Sequence, residues 1–94
     1  MASILVRHKV KDYATWKAGY DDHGPTRKAA GCQGTVVYRN ADDPSEVVIV
    51  FEWDSVENAK QFAGSDELRE KMEEVGVIDR PDMYFLNEVD KTPQ

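Results

Sequence analysis

Two histidines, His8 and His23, are the residues of this chain best suited to acid–base chemistry. An imidazole titrates near pH 6.5, so either can act as a general base at neutral pH. His23 stands inside "GYDDHGPTRKAAG", residues 19–31. Tyr13, Trp16 and Tyr20 precede it at helical spacing, and His23 extends their stripe. Gly24-Pro25 then interrupts the pattern, because proline lacks a backbone N–H and disfavours helical geometry in the residue before it. One reading is that the break aims His23 into a pocket. The other is that a partly charged imidazole caps the helix C-terminus and Gly-Pro is a stop signal. His8 shares a strand face with Ile4, Val6 and Val10, which makes it a core residue unless that face lines a cavity. Arg39 and Tyr38 end a strand; facing inward they suit an anionic or phenolic substrate, facing outward they are solvated. Trp53 ends another strand and can shape a pocket wall, whereas Trp16 and Tyr20 either clamp a substrate or pack a helix on a sheet.

Composition narrows the partners. The 94 residues carry a net charge of −6, so there is no basic patch to meet nucleic-acid phosphates or an anionic membrane surface. No apolar run approaches ~18 residues, as a membrane-crossing helix requires, and the N-terminus lacks a signal-peptide core. The single cysteine, Cys32, has no partner for a disulfide within the chain, which fits a reducing, cytoplasmic location. It reads as a small packed residue rather than a reactive thiol. Two histidines fifteen positions apart and one cysteine make neither HExxH nor CxxC, so no metal site is expected. No phosphate-binding glycine loop or nucleotide fingerprint is present, and no cofactor is expected.

The length sets one domain, residues 1–94, with 90–94 as a frayed tail. Alternation predicts strands over 3–12, 33–40, 46–53 and 83–89. Asp12 is the expected N-cap of a first helix over 12–23, and "TRKAAG" can add a turn closed by Gly31. Asp54, with Glu57 three residues on, is the expected N-cap of a second helix. Gly64-Ser65 interrupts that helix and Ser65 caps its continuation, which Gly76 ends. The order is β-α-β-β-α-β, an α+β, ferredoxin-like arrangement of a four-stranded antiparallel sheet with both helices on one face. "EVVIVFEW" is apolar on both sides: Val47, Ile49, Phe51 and Trp53 on one, Val48 and Val50 on the other. Leu5 and one of Val36 or Val37 join the second set, so the bare face is apolar and a second copy of the chain is its simplest cover. Two such sheets facing each other can enclose a cavity.

This order, with the doubly apolar third strand, resembles the dimeric α+β barrel superfamily. More closely, "HKVKDYATWKAGYDDHGPTRKAAG" and "VVYRNADDPSEVVIVFEWDSVENAKQFAGSDELREKM" resemble small proteins of the antibiotic biosynthesis monooxygenase-like family, in its uncharacterised subset. The resemblance covers Ile4 to Val89. It implies a homodimer and one of several activities: cofactor-independent oxygenation of polyketide-type phenols, haem degradation, lactone isomerisation, polyketide cyclisation or dye-decolorising peroxidation. The haem-degrading type places a histidine on the second helix, and residues 55–75 contain none. The leading expectation is a cofactor-independent monooxygenase acting on a small aromatic or polyketide-like molecule, with a base such as His23 removing a phenolic proton. The alternatives are a non-catalytic ligand-binding or stress-related dimer, and an isomerase or cyclase on the same fold.

Overall fold

The strict alternation of "EVVIVFEW" builds the centre of the molecule, and the other elements assemble around it. The computed structural model describes residues 2–94. The elements are β1 (Ala2–Lys9), α1 (Tyr13–Asp22), α2 (Gly24–Ala30), β2 (Cys32–Arg39), β3 (Glu46–Trp53), α3 (Val56–Ala63), α4 (Asp66–Glu74) and β4 (Asp82–Asn87). The sheet order is β2-β3-β1-β4 and every neighbouring pair is antiparallel. This is the α+β, ferredoxin-like fold, with each expected helix divided in two. Among the described residues no helix is long and apolar enough to cross a membrane.

Register assigns the faces. Ile4 lies opposite Phe51, Val6 opposite Ile49 and His8 opposite Val47. All six are buried, and Val10, Trp16, Trp53, Ala59 and Val75 complete the core against them. The other row pairs Leu5 with Val50 and Tyr84, and Val50 with Val36. No helix covers it: Val36, Tyr38, Tyr84 and Leu86 are exposed. Of Val36 and Val37, Val36 is the one on the bare face, while Val37 packs against the core.

The break at Gly24-Pro25 does not end helical structure. His23 adopts φ −83° and ψ −1°, its N–H donates to the Gly19 carbonyl, and its own carbonyl accepts from the Arg27 N–H. One residue thus closes α1 and opens α2. Pro25 falls in the first turn of α2, where a missing N–H leaves no intrahelical bond unmade. Asp12 caps α1 as expected, accepting from the Thr15 N–H at 2.9 Å. The α3 cap is shifted by one residue: Ser55, rather than Asp54, accepts from the Asn58 N–H. The Asp54 N–H is held by the Gly31 carbonyl and its carboxylate takes the Asn58 side-chain amide instead. Gly31 has φ 122°, a backbone conformation that requires glycine, and a Cβ there would also push the Asp54 carboxylate aside. Ser65 caps α4 as expected.

Gly19 is a point of close approach. A Cβ on it would overlap Val75, a buried β-branched residue at the end of α4. Gly19→Ala is therefore expected to lose about 1–3 kcal/mol of stability through overpacking, even though alanine is the better helix former. Urea unfolding checks this, and a stability equal to or above that of the parent contradicts the packing.

Candidate active site

The helix pairs do not close completely over the sheet. A cavity of about 60 Å³ remains between them, on the helix side rather than between facing sheets. Its floor is the core row of β1 and β3 with Met83 of β4. One wall comes from α1 and α2 and the other from α3 and α4. The lining is chiefly apolar and aromatic. Trp16 stacks on Tyr20 with ring centres 5.0 Å apart, and Phe62 packs against Trp53 at the same separation.

Polar groups enter this lining from four directions without partners. His8 Nδ1, Tyr20 Oη, His23 Nε2 and Trp53 Nε1 are all buried and make no hydrogen bond, and all four residues line the cavity. Buried polar atoms are ordinarily paired, and leaving one unpaired costs about 1–3 kcal/mol. Four such atoms line this one cavity, where hydrogen-bonding atoms could meet them.

His8 comes from the buried row of β1, next to the last residue of the strand, with its ring edge against Trp16 at 5.7 Å. Burial pushes its pKa below the ordinary 6.5; the nearby Asp79 carboxylate opposes this and Arg7 adds to it. His8 is therefore the neutral imidazole at pH 7. His23 is 7% exposed, and the α1–α2 pivot carries its ring towards Phe62, 5.9 Å away. Its imidazole caps no helix; Nε2 lies 3.6 Å from Glu67 Oε1, too far for a hydrogen bond but close enough for Coulombic attraction. The two histidines, fifteen positions apart in sequence, one on a strand and one at a helix pivot, thus face one cavity.

The lining also contains a residue that sequence reasoning missed. Arg27 of α2 is 8% exposed. Its Nη1 donates to the Tyr20 carbonyl at 2.8 Å and its guanidinium lies 3.8 Å above the Tyr20 ring centre. Among the described residues no carboxylate lies within ion-pair distance of it. A signal was present: positions 13, 16, 20, 23 and 27 continue one 3–4 spacing through Gly24-Pro25.

Other candidates lie elsewhere. Tyr38 is exposed on the bare sheet face, opposite Val48. Arg39 stands at the end of the edge strand β2, where it donates to the Pro44 carbonyl and lies over the Tyr13 ring at 4.3 Å. Neither lines the cavity. Trp16, Tyr20 and Trp53 do, while also belonging to the core or packing against it. Cys32 is half-buried, and desolvation raises its pKa, which keeps the thiol protonated. Among the described residues no group of three or more His, Cys, Asp or Glu side chains is arranged to hold a metal ion.

The family model for antibiotic biosynthesis monooxygenases matches residues 14–74. The chain belongs to that family. The matched segment includes Trp16, Tyr20, His23, Arg27 and Trp53 and leaves out His8. Solved structures agree on the fold. A Bordetella bronchiseptica protein, provisionally named an antibiotic biosynthesis monooxygenase, superposes with a TM-score of 0.79 at 22% identity, covering 94% of this chain and 96% of its own. SnoaB, a cofactor-independent oxygenase from Streptomyces nogalater, gives 0.78 at 9% identity, covering 99% and 97%. Rv0793 from Mycobacterium tuberculosis gives 0.71 at 20% identity, covering 98% of each chain. No curated protein sequence matches the chain.

The buried neutral His8 has a thermodynamic consequence. The unfolded imidazole takes up a proton near pH 6.5, while the folded one resists until lower pH. The unfolded state therefore binds more protons below about 6.5, and stability falls as pH drops through that window. His8→Gln is expected to reduce the loss of urea midpoint between pH 7.5 and pH 5.5. An unchanged loss would assign the acid sensitivity to other groups.

Proposed function

We propose that this member of the antibiotic biosynthesis monooxygenase family is a homodimeric, cofactor-independent oxygenase acting on a small phenolic ring bound in the helix–sheet cavity. The observation that carries the reading is the convergence of unpaired His8, Tyr20, His23 and Trp53 atoms on one apolar, aromatic-lined space. A purely structural core has no use for four such atoms, and a ligand with oxygen atoms satisfies them.

In this reading His23 Nε2 accepts the phenolic proton, and Glu67 offsets the positive charge that then forms on the imidazole. The neutral His8, Tyr20 and Trp53 hydrogen-bond the oxygen atoms of the substrate. The phenolate supplies all four electrons that dioxygen takes up. One oxygen atom bonds to a ring carbon that loses its hydrogen, the other leaves as water, and the phenol becomes a quinone. Phenol plus dioxygen balances with quinone plus water, with no outside reductant. The apolar walls keep bulk water from the intermediate.

Size limits the substrate. A cavity of about 150 Å³ is known to take benzene, so about 60 Å³ is tight for one ring and far too small for a fused polycycle. Room for the ring comes from the α4 side: α4 has no fully buried residue, and Met72 and Met83 line the space with flexible, unbranched side chains. An isomerase or cyclase would use the same acid–base groups without oxygen.

Oxygen uptake separates these chemistries. With a single-ring phenol that the protein turns over, uptake and quinone formation are expected in equal amounts. His23→Ala is expected to lower kcat/KM by about 100-fold or more. Conversion without oxygen uptake would support an isomerase, and full activity in both His23→Ala and His8→Ala would remove the base from the mechanism.

The bare sheet face supports the dimer. Val36, Tyr38, Tyr84 and Leu86 extend an apolar surface across four strands, around the half-buried Leu5, Val48 and Val50. Sedimentation is expected to give twice 10.7 kDa for the parent chain and the monomer mass for Val50→Glu, with far-ultraviolet dichroism retained. A parent chain that sediments as a monomer at micromolar concentration contradicts the pairing.

A further inference from the structure

Arg27 is a permanent cation in a space whose lining, Lys71 apart, is carbon and neutral polar groups. The cost of burying a guanidinium is offset by a carboxylate partner in most proteins that do so. Here its partners are the Tyr20 carbonyl and the Tyr20 ring. The cavity's other cation is differently placed: Lys71 lies 3.4 Å from Asp22 Oδ2 and 3.6 Å from Glu74 Oε1. Arg27 is thus the cavity-lining cation with no acidic side chain of its own. Trp53 Nε1, also unpaired, can only donate. One obligate donor with no acceptor, and one cation with a single backbone carbonyl and no counter-charge, call for a ligand that brings acceptors and negative charge.

We infer that the ligand is an aromatic carboxylate, its acid group held by Arg27. The choice of acid follows from timing. A neutral phenol offers no negative charge until its proton has been taken, whereas a carboxylate is ionised at neutral pH and compensates the guanidinium on arrival. The planar guanidinium matches a planar carboxylate through paired N–H donors. The choice of an aromatic ring follows from the lining: Trp16, Tyr20, Phe51, Trp53 and Phe62 present faces and edges suited to a flat ring. Polarity along the cavity sets the orientation. Glu67 lies beside His23 and repels an acid there, which leaves Arg27 as the group to meet the carboxylate. The phenol then meets the histidines, and the substrate class becomes hydroxyarene carboxylates. The phenolic half of this ligand rests on the function proposed above; the acidic half does not.

The test compares an acid with its neutral isostere. Binding of 4-hydroxybenzoate and 4-hydroxybenzamide to the intact protein is measured by calorimetry at pH 7.5. The acid is expected to bind at least about tenfold more tightly. Arg27→Met is expected to bring the ratio close to one, and Arg27→Lys, which keeps the charge without the fork, to an intermediate value. Should Arg27→Met fail to fold, the parent ratio and the lysine variant still decide. Equal or tighter binding of the amide, no binding of the acid at millimolar concentration, or an undiminished ratio in both variants overturns the inference. A bound acid that consumes no oxygen contradicts the oxygenase proposal alone. Turnover of phenols with no preference for acids contradicts this inference alone.

Discussion

The antiparallel pairing of β1 with β3 is the constraint on which the helix side of the molecule depends. It aligns Ile4, Val6 and His8 with Phe51, Ile49 and Val47 in one buried row. Burying each large aliphatic or aromatic side chain contributes about 1.5–3 kcal/mol before entropy is counted, so a register slip of one residue would expose the whole row. The same pairing fixes His8 in the cavity floor, because its position on the strand leaves no other face for it. The helices then have one apolar surface to dock on, and their own stripe of Tyr13, Trp16 and Tyr20 meets it.

Against this background the site works as a local conflict. Packing pulls His8, His23, Trp53 and Arg27 out of water, and the protein interior gives them few partners. Each unpaired group lowers stability, and together they create a region where a ligand gains more than it would on an ordinary apolar surface. The pivot at His23 is the geometric device that makes this possible. A continuous helix through residues 13–30 would carry His23 and Arg27 along one straight line. The break between α1 and α2 redirects the chain while preserving the inward stripe, so both residues still face the sheet.

Much of this was legible in the sequence where one period dominated. The alternation of β3 gives both its bounds and its two faces, and the caps at Asp12 and Ser65 follow from residue type and spacing. What alternation cannot give is which apolar row the helices cover, since Val48 and Val50 are as apolar as Val47 and Ile49. The place of the cavity beneath the helices is therefore given by the fold and not by the alternation. Arg39 and Tyr38 looked like site residues because nothing local says that β2 is an edge strand, a property of topology. The cap at Ser55 rather than Asp54 is likewise decided by a distant partner, the Gly31 carbonyl. Arg27 escaped notice because Gly24-Pro25 reads as the end of a stripe, whereas proline in a first helical turn lets the stripe continue.

The central claim is that the unpaired polar atoms of the cavity exist to meet a ligand. The indole N–H of Trp53 reports on this most directly, since it is buried, unpaired and able only to donate. Its proton–nitrogen resonance, assigned by its loss in Trp53→Phe, can be followed while a single-ring phenol is added. The account predicts a saturable downfield shift as the N–H gains an oxygen acceptor. A Trp53 resonance that stays fixed while the phenol saturates the protein would contradict the claim.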